Sequence, residues 1–306
     1  MYYYKVYGLK IKSRVELPVL LIDEEVEKVT DVEIDFTPMP IHIKSKIEEG
    51  VRSCYQSDEI WFTVNNLGIF RLLKGSVIEI ELDSLQNIEW ARQFIYYRCL
   101  AYILMQRDIV GLHGSAMVMN NQGVIISGDS GAGKSTLASA LKLRGYHFMS
   151  DDVCGIYPQD NYNIAPGFPL QRLLPAVMVE QKYDLSKYRT IHEGRKLKYL
   201  VPVQHQFYNQ YIKMNKLFTI CVSDKENQVT IEKVDGINKL KEVYENIFGS
   251  STKIEMGLAP SYFKQCLELS KQIEVYRITR PVDLYTVDEQ INLIESVVFS
   301  KKEVGA

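Results

Sequence analysis

The residues best suited to chemistry form one short segment. In order they are Gly128, Asp129, Ser130, Gly131, Ala132, Gly133, Lys134 and Ser135. They satisfy GxxxxGK[ST], the Walker A pattern, in which backbone N–H groups near glycines converge on phosphate oxygens. Lys134 is expected to reach the β- and γ-phosphates, and the Ser135 hydroxyl to ligate Mg²⁺. The pattern predicts a P-loop that binds Mg·ATP through residues 128–136, including Thr136. It does not define the reaction.

Two adjacent acids follow the next predicted strand, in Ser150-Asp151-Asp152-Val153. Neighbouring carboxylates at a strand end point in different directions. One can therefore hold Mg²⁺ while the other takes the proton of an attacking hydroxyl. The sequence leaves open which does which, and an ordinary turn is the alternative interpretation.

A histidine and three cations complete the candidate site. His113 precedes Gly114, which allows close backbone approach, so a catalytic role and a structural role are both open. Arg172, Arg195 and Lys198 are candidates to contact the γ-phosphate or an anionic substrate. A solvated basic loop is the alternative for each of them.

Regular elements are predicted on both sides of these residues. The apolar run Val124-Ile125-Ile126 indicates a buried strand before the loop. A helix over 134–144, ended by Gly145, and a strand over 146–150 then lead to the acids. One strand pair is predicted over 110–119 and 123–127. Later strands are predicted at 217–222, 229–234 and 274–278, with helices at 236–248, 261–272 and from about 286.

The chain divides by pattern into three parts. Residues 1–84 are β-rich, with strand-like runs at 2–6, 32–36, 60–64 and 77–82. This segment is interpreted either as a small accessory sheet or as a platform that recognises a peptide or partner protein. Residues 85–106 are predicted to form one connecting helix, and residues 107–306 the catalytic domain.

Composition narrows the class of protein. Among 306 residues, 46% are hydrophobic and 24% charged, which allows a substantial core, and the net charge is −2. A chain without a global basic field is not expected to bind nucleic acid or an anionic membrane. The 5 cysteines are widely spaced, which argues against a disulfide framework or a zinc site. The longest apolar run, 94–105, is shorter than a bilayer span. We expect a soluble, cytoplasmic protein.

The motifs resemble those of the HPr kinase/phosphorylase superfamily. That family carries an HG dipeptide, a GDSGxGKS loop, a helix ending in RG and a DD pair. Here these are His113-Gly114, residues 128–135, Arg144-Gly145 and Asp151-Asp152, so the resemblance covers about 113–157. The glutamate-containing signature of the bacterial HPr kinases is not found after the DD pair, where PGFPLQRLLP stands instead.

Looser motifs are similar to those of the HPr kinase-like proteins of lasso-peptide biosynthesis. They are YKVYGLKIKS at 4–13, Leu17-Pro18, PGFP at 166–169, KYLVP at 198–202 and Arg280-Pro281. The resemblance implies an α/β fold: an HPr kinase-like P-loop nucleotide-binding domain with a central mixed sheet, preceded by a small β-rich N-terminal domain. Some members of the superfamily are oligomers, so a homo-oligomer is one expectation.

The implied activity is a serine kinase that uses ATP and Mg²⁺. Its acceptor would be a peptide or protein, and the lasso branch phosphorylates the C-terminal serine of a precursor peptide. Two alternatives share the same residues. One is a kinase for a small hydroxylated molecule such as free serine, and the other is a non-catalytic ATP-dependent switch.

Overall fold

Three β-sheets organise the chain. The computed structural model describes residues 1–24, 29–193, 196–249, 252, 255 and 259–300. In this part the strands form sheets of 8, 9 and 3 strands, and helices pack against them. The two larger sheets contain parallel as well as antiparallel pairs. The protein is therefore mixed α/β, in agreement with the class predicted from the sequence.

The first sheet is built from the N-terminal residues. Its strands are β1 (Tyr2–Val6), β2 (Leu9–Ser13), β3 (Leu21–Ile22), β4 (Val32–Phe36), β5 (Ser53–Tyr55), β6 (Glu59–Val64), β7 (Gly68–Leu73) and β8 (Val77–Leu82). The four predicted strand runs are confirmed as β1, β4, β6 and β8. Helix α1 (Ile41–Glu48) was not predicted. It starts after Pro40 and buries only Ile43, which packs with Met39 and Trp61.

A long helical segment covers this sheet. After a 3₁₀ turn (Leu85–Asn87), helix α2 (Ile88–Phe94), a π-helical turn (Ile95–Cys99) and helix α3 (Leu100–Gln106) follow without a break. The predicted helix over 85–106 is thus confirmed, with a wider turn at its centre. Its buried side chains share one hydrophobic core with the first sheet and with Phe168. Apolar burial of this kind stabilises by about 25 cal/mol per Å², so the helix is fixed against the sheet.

The nine-stranded sheet carries the candidate site. Its strands are β9 (Val110–His113), β10 (Ser115–Met119), β11 (Gln122–Gly128), β12 (His147–Ser150), β13 (Val153–Tyr157), β14 (Asn163–Ile164), β18 (Ile212–Ser223), β19 (Thr230–Val234) and β20 (Glu274–Pro281). Strand β18 runs parallel to β11 and β20, and β10 runs antiparallel to both β11 and β12. Strands β11, β12, β18 and β20 therefore end at the same edge of the sheet.

The predicted strand over 110–119 is interrupted at Gly114. Its first part, β9, pairs with β13, and its second part, β10, pairs with β11 and β12. A Cβ atom at Gly114 would lie 2.4 Å from the carbonyl oxygen of Ile126. Glycine is therefore required where the chain passes from one pairing to the other.

Helices cover both faces of this sheet. Helices α4 (Lys134–Leu143) and α8 (Val287–Val298) pack on one face, against Val124 and Ile126 of β11. Helices α6 (Gly236–Glu245) and α7 (Ala259–Gln272) lie beside the other face, to which Ile125 points. The run Val124-Ile125-Ile126 is apolar throughout because both faces are covered.

The third sheet lies beside the start of α4. It consists of β15 (Leu170–Leu173), β16 (Arg189–Glu193) and β17 (Lys196–Pro202), with helix α5 (Pro175–Glu180) packed against it. Further 3₁₀ turns span Pro158–Asp160, Leu185–Lys187 and Gln204–Gln206. In the residues that the structure describes, no helix has both the length and the apolar character needed to cross a membrane.

Candidate active site

The glycine loop joins β11 to α4 at the common edge of the nine-stranded sheet. Gly128, Gly131 and Gly133 have φ of 137°, 89° and 111°, in the region that favours glycine. A Cβ atom at Gly128 would lie 2.4 Å from the Ile220 carbonyl oxygen, whereas one at Gly131 would meet nothing within 4 Å. Gly128 thus fits the loop to the sheet, and Gly131 leaves open space in front of the helix N-terminus, where anions are favoured.

Lys134 is the first residue of α4, directly after this loop. Its Nζ donates to the carbonyl oxygens of Gly128 at 2.8 Å and Asp129 at 3.0 Å. Burial lowers the pKa of the ammonium, and the carboxylates of Asp152 and Asp151 oppose that effect. Its side chain is therefore held beside the loop by carbonyls that an anionic ligand can replace.

The two acids stand between β12 and β13, directly opposite Gly114. The Gly114 N–H donates to the Asp152 carbonyl oxygen at 3.1 Å, and β12 and β13 pair with β10 and β9 on either side. Asp152 has φ of 73°, in the left-handed region that aspartate tolerates better than most residues. This conformation separates the directions of the two carboxylates.

Asp151 is the buried member of the pair. Its side chain accepts from Ser115 Oγ at 2.7 Å and from the Arg172 backbone N–H at 3.3 Å. Burial raises the pKa of this carboxyl, and the neighbouring Asp152 charge adds to that, while the hydrogen bond from Ser115 opposes it. A carboxylate held by two donors in a buried place has a fixed orientation, which suits a metal ligand.

Asp152 is more accessible and is held by a cation. Its Oδ2 lies 3.1 Å from Arg172, whose guanidinium also lies over the Tyr97 ring, with Cζ 3.5 Å from the ring centroid. His113 Nδ1 lies 2.9 Å from the Asp152 carbonyl oxygen and 4.0 Å from Oδ1. The contact with the carbonyl requires Nδ1 to carry the proton. His113 therefore supports the turn on which Asp152 stands.

Three cavities meet around these groups. The loop cavity, of about 540 Å³, is lined by His113, Gly114, Ser115, Ser130, Gly131, Gly133, Lys134, Ser135, Thr136, Asp151, Asp152, Arg172, Leu174, Val177, Lys196 and Lys198. The aromatic cavity, of about 460 Å³, is lined by Trp90, Gln93, Phe94, Tyr97, Arg98, Tyr102, Asp152, Arg172, Ile191, His192 and Phe248. The distal cavity, of about 250 Å³, is lined by Gly131, Gly133, Thr136, Ala176, Val177, Glu180, Arg280, Leu284, Tyr285, Thr286, Val287 and Gln290.

The candidate residues from the sequence fall around the loop cavity, with some exceptions. Gly128, Asp129 and Ala132 form the loop without lining the cavity, and the Ala132 carbonyl accepts from Arg280 Nε at 3.0 Å. Lys198 lines the cavity from β17, together with Lys196. Arg195 lies outside the described residues.

Several residues of the site were missed by sequence reasoning. Ser115 orients Asp151, and Gln171 donates to the Ser135 carbonyl oxygen at 3.2 Å. The aromatic cavity also was not foreseen, because its residues come from the helical segment, the turn at Asp152, β15, β16 and the segment after α6. The only local signal was the number of aromatic residues within 90–102, which also fits a buried helix face.

The fold and site together define a mixed α/β protein with a glycine loop, a lysine and an acid pair at one sheet edge. Such an arrangement can bind a polyphosphate and a divalent cation. Residues 106–169 match the family described as the HPr Serine kinase C-terminal domain.

Individual relatives also match this chain, each over a short stretch. The HPr kinase/phosphorylase of Pediococcus pentosaceus is 41% identical over 61 residues, which are 20% of this chain and 19% of that protein. That of Lacticaseibacillus casei is 40% identical over 58 residues, 19% of this chain and 18% of that protein. The chain thus spans less than a fifth of the length of these curated relatives. Together with the family match at 106–169, which includes the loop and the acids, they support the HPr kinase/phosphorylase superfamily.

A solved structure was also found. The Hpr(Ser) kinase/phosphatase from Coxiella burnetii is 16% identical, and the comparison covers 61% of this chain and 93% of that chain with a TM-score of 0.30.

Proposed function

We propose that this protein is an ATP-dependent kinase that transfers the γ-phosphate to a serine hydroxyl of a peptide or protein. One observation carries the proposal. Lys134, Ser135, Asp151 and Asp152 all line one cavity, and Asp152 also lines the adjoining aromatic cavity. An acid that lines both the proposed phosphate cavity and a second cavity is positioned to activate the hydroxyl of an acceptor bound in the second cavity.

The nucleotide would occupy the loop cavity and the distal cavity. These two cavities share Gly131, Gly133 and Thr136. The triphosphate of a nucleotide could therefore lie on the loop while its base occupies the distal cavity. Leu284 and Tyr285, both about half exposed, would cover that base. The phosphate oxygens would accept hydrogen bonds from the loop N–H groups and from the Lys134 ammonium, and the positive end of α4 would stabilise their negative charge.

The side chains present fit a magnesium ion bound mainly through phosphate. Mg²⁺ takes one or two carboxylates together with phosphates and waters. Ser135 and Asp151 line the same cavity, and within the described residues no group of three or more His, Cys, Asp or Glu forms a metal cage. Ser135 and Asp151 would hold the ion, with Asp152 as a further candidate, and the ion would neutralise phosphate charge.

The proposed reaction uses this arrangement. The acceptor hydroxyl oxygen forms a bond to the γ-phosphorus while the bond between that phosphorus and the β–γ bridging oxygen breaks, so ADP leaves. The hydroxyl proton passes to the Asp152 carboxylate, which faces both cavities. Lys134 and the loop N–H groups stabilise charge on the transferring group, and the rest of the catalysis is positioning.

The finer substrate proposal is the C-terminal serine of a lasso precursor peptide. Its support is the likeness of the motifs at 4–13, 166–169, 198–202 and 280–281 to the lasso-associated kinases. The first sheet would then help to hold the peptide. A kinase for free serine is the second candidate, and the volume of the aromatic cavity, about 460 Å³, favours a small acceptor or the end of a chain over a folded surface.

The test is phosphoryl transfer from labelled ATP with Mg²⁺, using a serine-ending peptide, free serine or no acceptor. Asp152→Asn should lower kcat by about 10²–10⁴-fold and leave nucleotide binding intact. Asp151→Asn should also lose transfer, and it should weaken the Mg²⁺ dependence of nucleotide binding.

Two outcomes would count against the kinase. Full activity of both asparagine variants would remove the proposed base and metal ligand. Nucleotide-dependent change in shape with slow hydrolysis and no labelled acceptor would favour a switch.

A further inference from the structure

The aromatic cavity is shaped for a particular kind of acceptor. Trp90, Phe94, Tyr97 and Tyr102 from the helical segment, with Phe248, form its aromatic wall. It joins the loop cavity at Asp152 and Arg172, which line both. A group bound there is next to the proposed base, so the cavity is the natural position for the residue that receives the phosphate.

Two arginines line this cavity, and they differ in their partners. Arg172 pairs with Asp152 at 3.1 Å. Arg98 donates to Tyr55 Oη at 3.1 Å and lies over the Phe62 ring, with Cζ 4.2 Å from the centroid. In the described part of the chain, no carboxylate lies within 4.0 Å of the Arg98 guanidinium.

Among the described residues, the half-buried Arg98 guanidinium contacts neutral aromatic groups and no carboxylate, which is unusual because buried charges are normally paired. Its aromatic contacts keep it in place but leave its charge uncompensated. A bound carboxylate would supply the missing charge, and it would do so through two parallel hydrogen bonds of the kind that guanidinium favours.

We propose that Arg98 binds a carboxylate of the acceptor, so that the substrates are molecules in which a hydroxyl and a carboxylate lie close together. This inference rests on the kinase proposed above. The acceptor hydroxyl faces Asp152 and its carboxylate faces Arg98, with the aromatic wall beside both groups. The chain-terminal carboxylate of a serine-ending peptide, the carboxylate of free serine and an acidic side chain beside a serine share this chemistry.

Charge gives a second reason for a cation at this position. An acceptor carboxylate close to a triphosphate is repelled by it, and the repulsion is strong where water is excluded. The positive charge of Arg98 would offset the negative charge of the acceptor carboxylate and so reduce its repulsion by the triphosphate. A neutral acceptor has no need of this compensation, so the effect of Arg98 should depend on the charge of the acceptor.

The experiment compares matched acceptors in wild type and Arg98→Gln. The acceptors are one serine-ending peptide as the free acid and as the C-terminal amide, the same amide with aspartate before the serine, free serine and serinamide. Both KM in the transfer assay and Kd for binding are measured. Trp90 lines the cavity, so its fluorescence reports binding without any need for turnover.

In wild type we expect KM and Kd to be about tenfold or more lower for an acid than for its amide. Arg98→Gln should bring that ratio close to one, and Arg98→Lys should restore part of it. Arg92→Gln is the control: Arg92 lies on α2 in the same helical segment, contacts Glu16 and Glu89, and does not line the cavity. The acceptor that shows the largest ratio identifies the source of the carboxylate.

The two proposals fail separately. If Arg98→Gln weakens acid and amide equally, or wild type does not distinguish them, carboxylate recognition is refuted. If Arg98 governs acid binding but no acceptor is phosphorylated, the recognition stands and the kinase is refuted.

Discussion

Lys142 is a buried lysine that contacts the candidate site through Gln171. Replacing it with methionine gives a quantitative test, because its burial should make the stability of the protein depend on pH. Its side chain is 4% exposed. Nζ donates to Gln171 Oε1 at 3.2 Å and lies 5.5 Å from the centroid of the Tyr183 ring. Gln171 in turn donates to the Ser135 carbonyl oxygen at 3.2 Å. Methionine has a similar length and needs no hydrogen bond, so Lys142→Met should fold.

The expected magnitude follows from the pKa of this lysine. Burial lowers the pKa of Lys142 from 10.5 to about 8, although Asp151 opposes the effect. Between these pH values the unfolded chain binds more protons at this site than the folded chain. The free energy of unfolding therefore rises with pH across this window. A difference of about 2.5 in pKa is equivalent to about 3 kcal/mol, of which about 2 kcal/mol falls between pH 7 and pH 9.5.

The variant lacks this proton and therefore lacks this rise. Urea unfolding of wild type and Lys142→Met at pH 7, 8.3 and 9.5 should give a stability difference that shifts by about 2 kcal/mol in favour of wild type over that range. Any loss from the unpaired Gln171 amide is constant with pH and does not affect the shift. Lys241→Met, at an exposed position on α6, is the control and should stay parallel to wild type. A stability difference that is the same at pH 7 and pH 9.5 would refute the reasoning.

Two further predictions concern the nucleotide and the loop. Tyr285→Ala should weaken ATP binding by about tenfold while affecting binding of inorganic triphosphate little, because the side chain would contact the base alone; calorimetric titration with both ligands checks this. Gly128→Ala should destabilise the fold by about 2 kcal/mol or more, since its φ is 137° and its Cβ atom would lie 2.4 Å from the Ile220 carbonyl oxygen. Gly145→Ala, where φ is 97° but the added Cβ atom would meet nothing within 4 Å, should lose less stability than Gly128→Ala when both are measured by thermal unfolding.

Local patterns predicted the elements around the loop because each of them depends on short-range chemistry. The apolar run at 124–126 is buried on both faces, and α4 ends at Leu143, close to Gly145 with its φ of 97°. The break at Gly114 was not predicted, because it depends on pairing with strands that come later in the chain. Helix α1 was missed because its sequence, IHIKSKIE, buries a single side chain and shows little periodicity.

The same difference applies to the candidate site. Spacing along the chain brought the loop and the acid pair into one hypothesis, and the structure places both around one cavity. Spacing could not assign different environments to Asp151 and Asp152, because these depend on Ser115, Arg172 and Tyr97. The aromatic cavity requires the helical segment and the segment after α6 to meet, which no local pattern shows.

The backbone at Asp152 explains why the two acids can have separate tasks. In a regular strand, adjacent side chains point to opposite faces, and one of them would be directed away from the site. The left-handed conformation at Asp152, with φ of 73°, changes that direction, so Asp151 reaches Ser115 while Asp152 reaches the junction of the loop and aromatic cavities. Such a conformation costs about 1 kcal/mol or more for a residue other than glycine. The Gly114 N–H and His113 Nδ1 both contact the Asp152 carbonyl oxygen and hold it. The HG dipeptide and the DD pair therefore act as one unit, in which the first fixes the turn that directs the second.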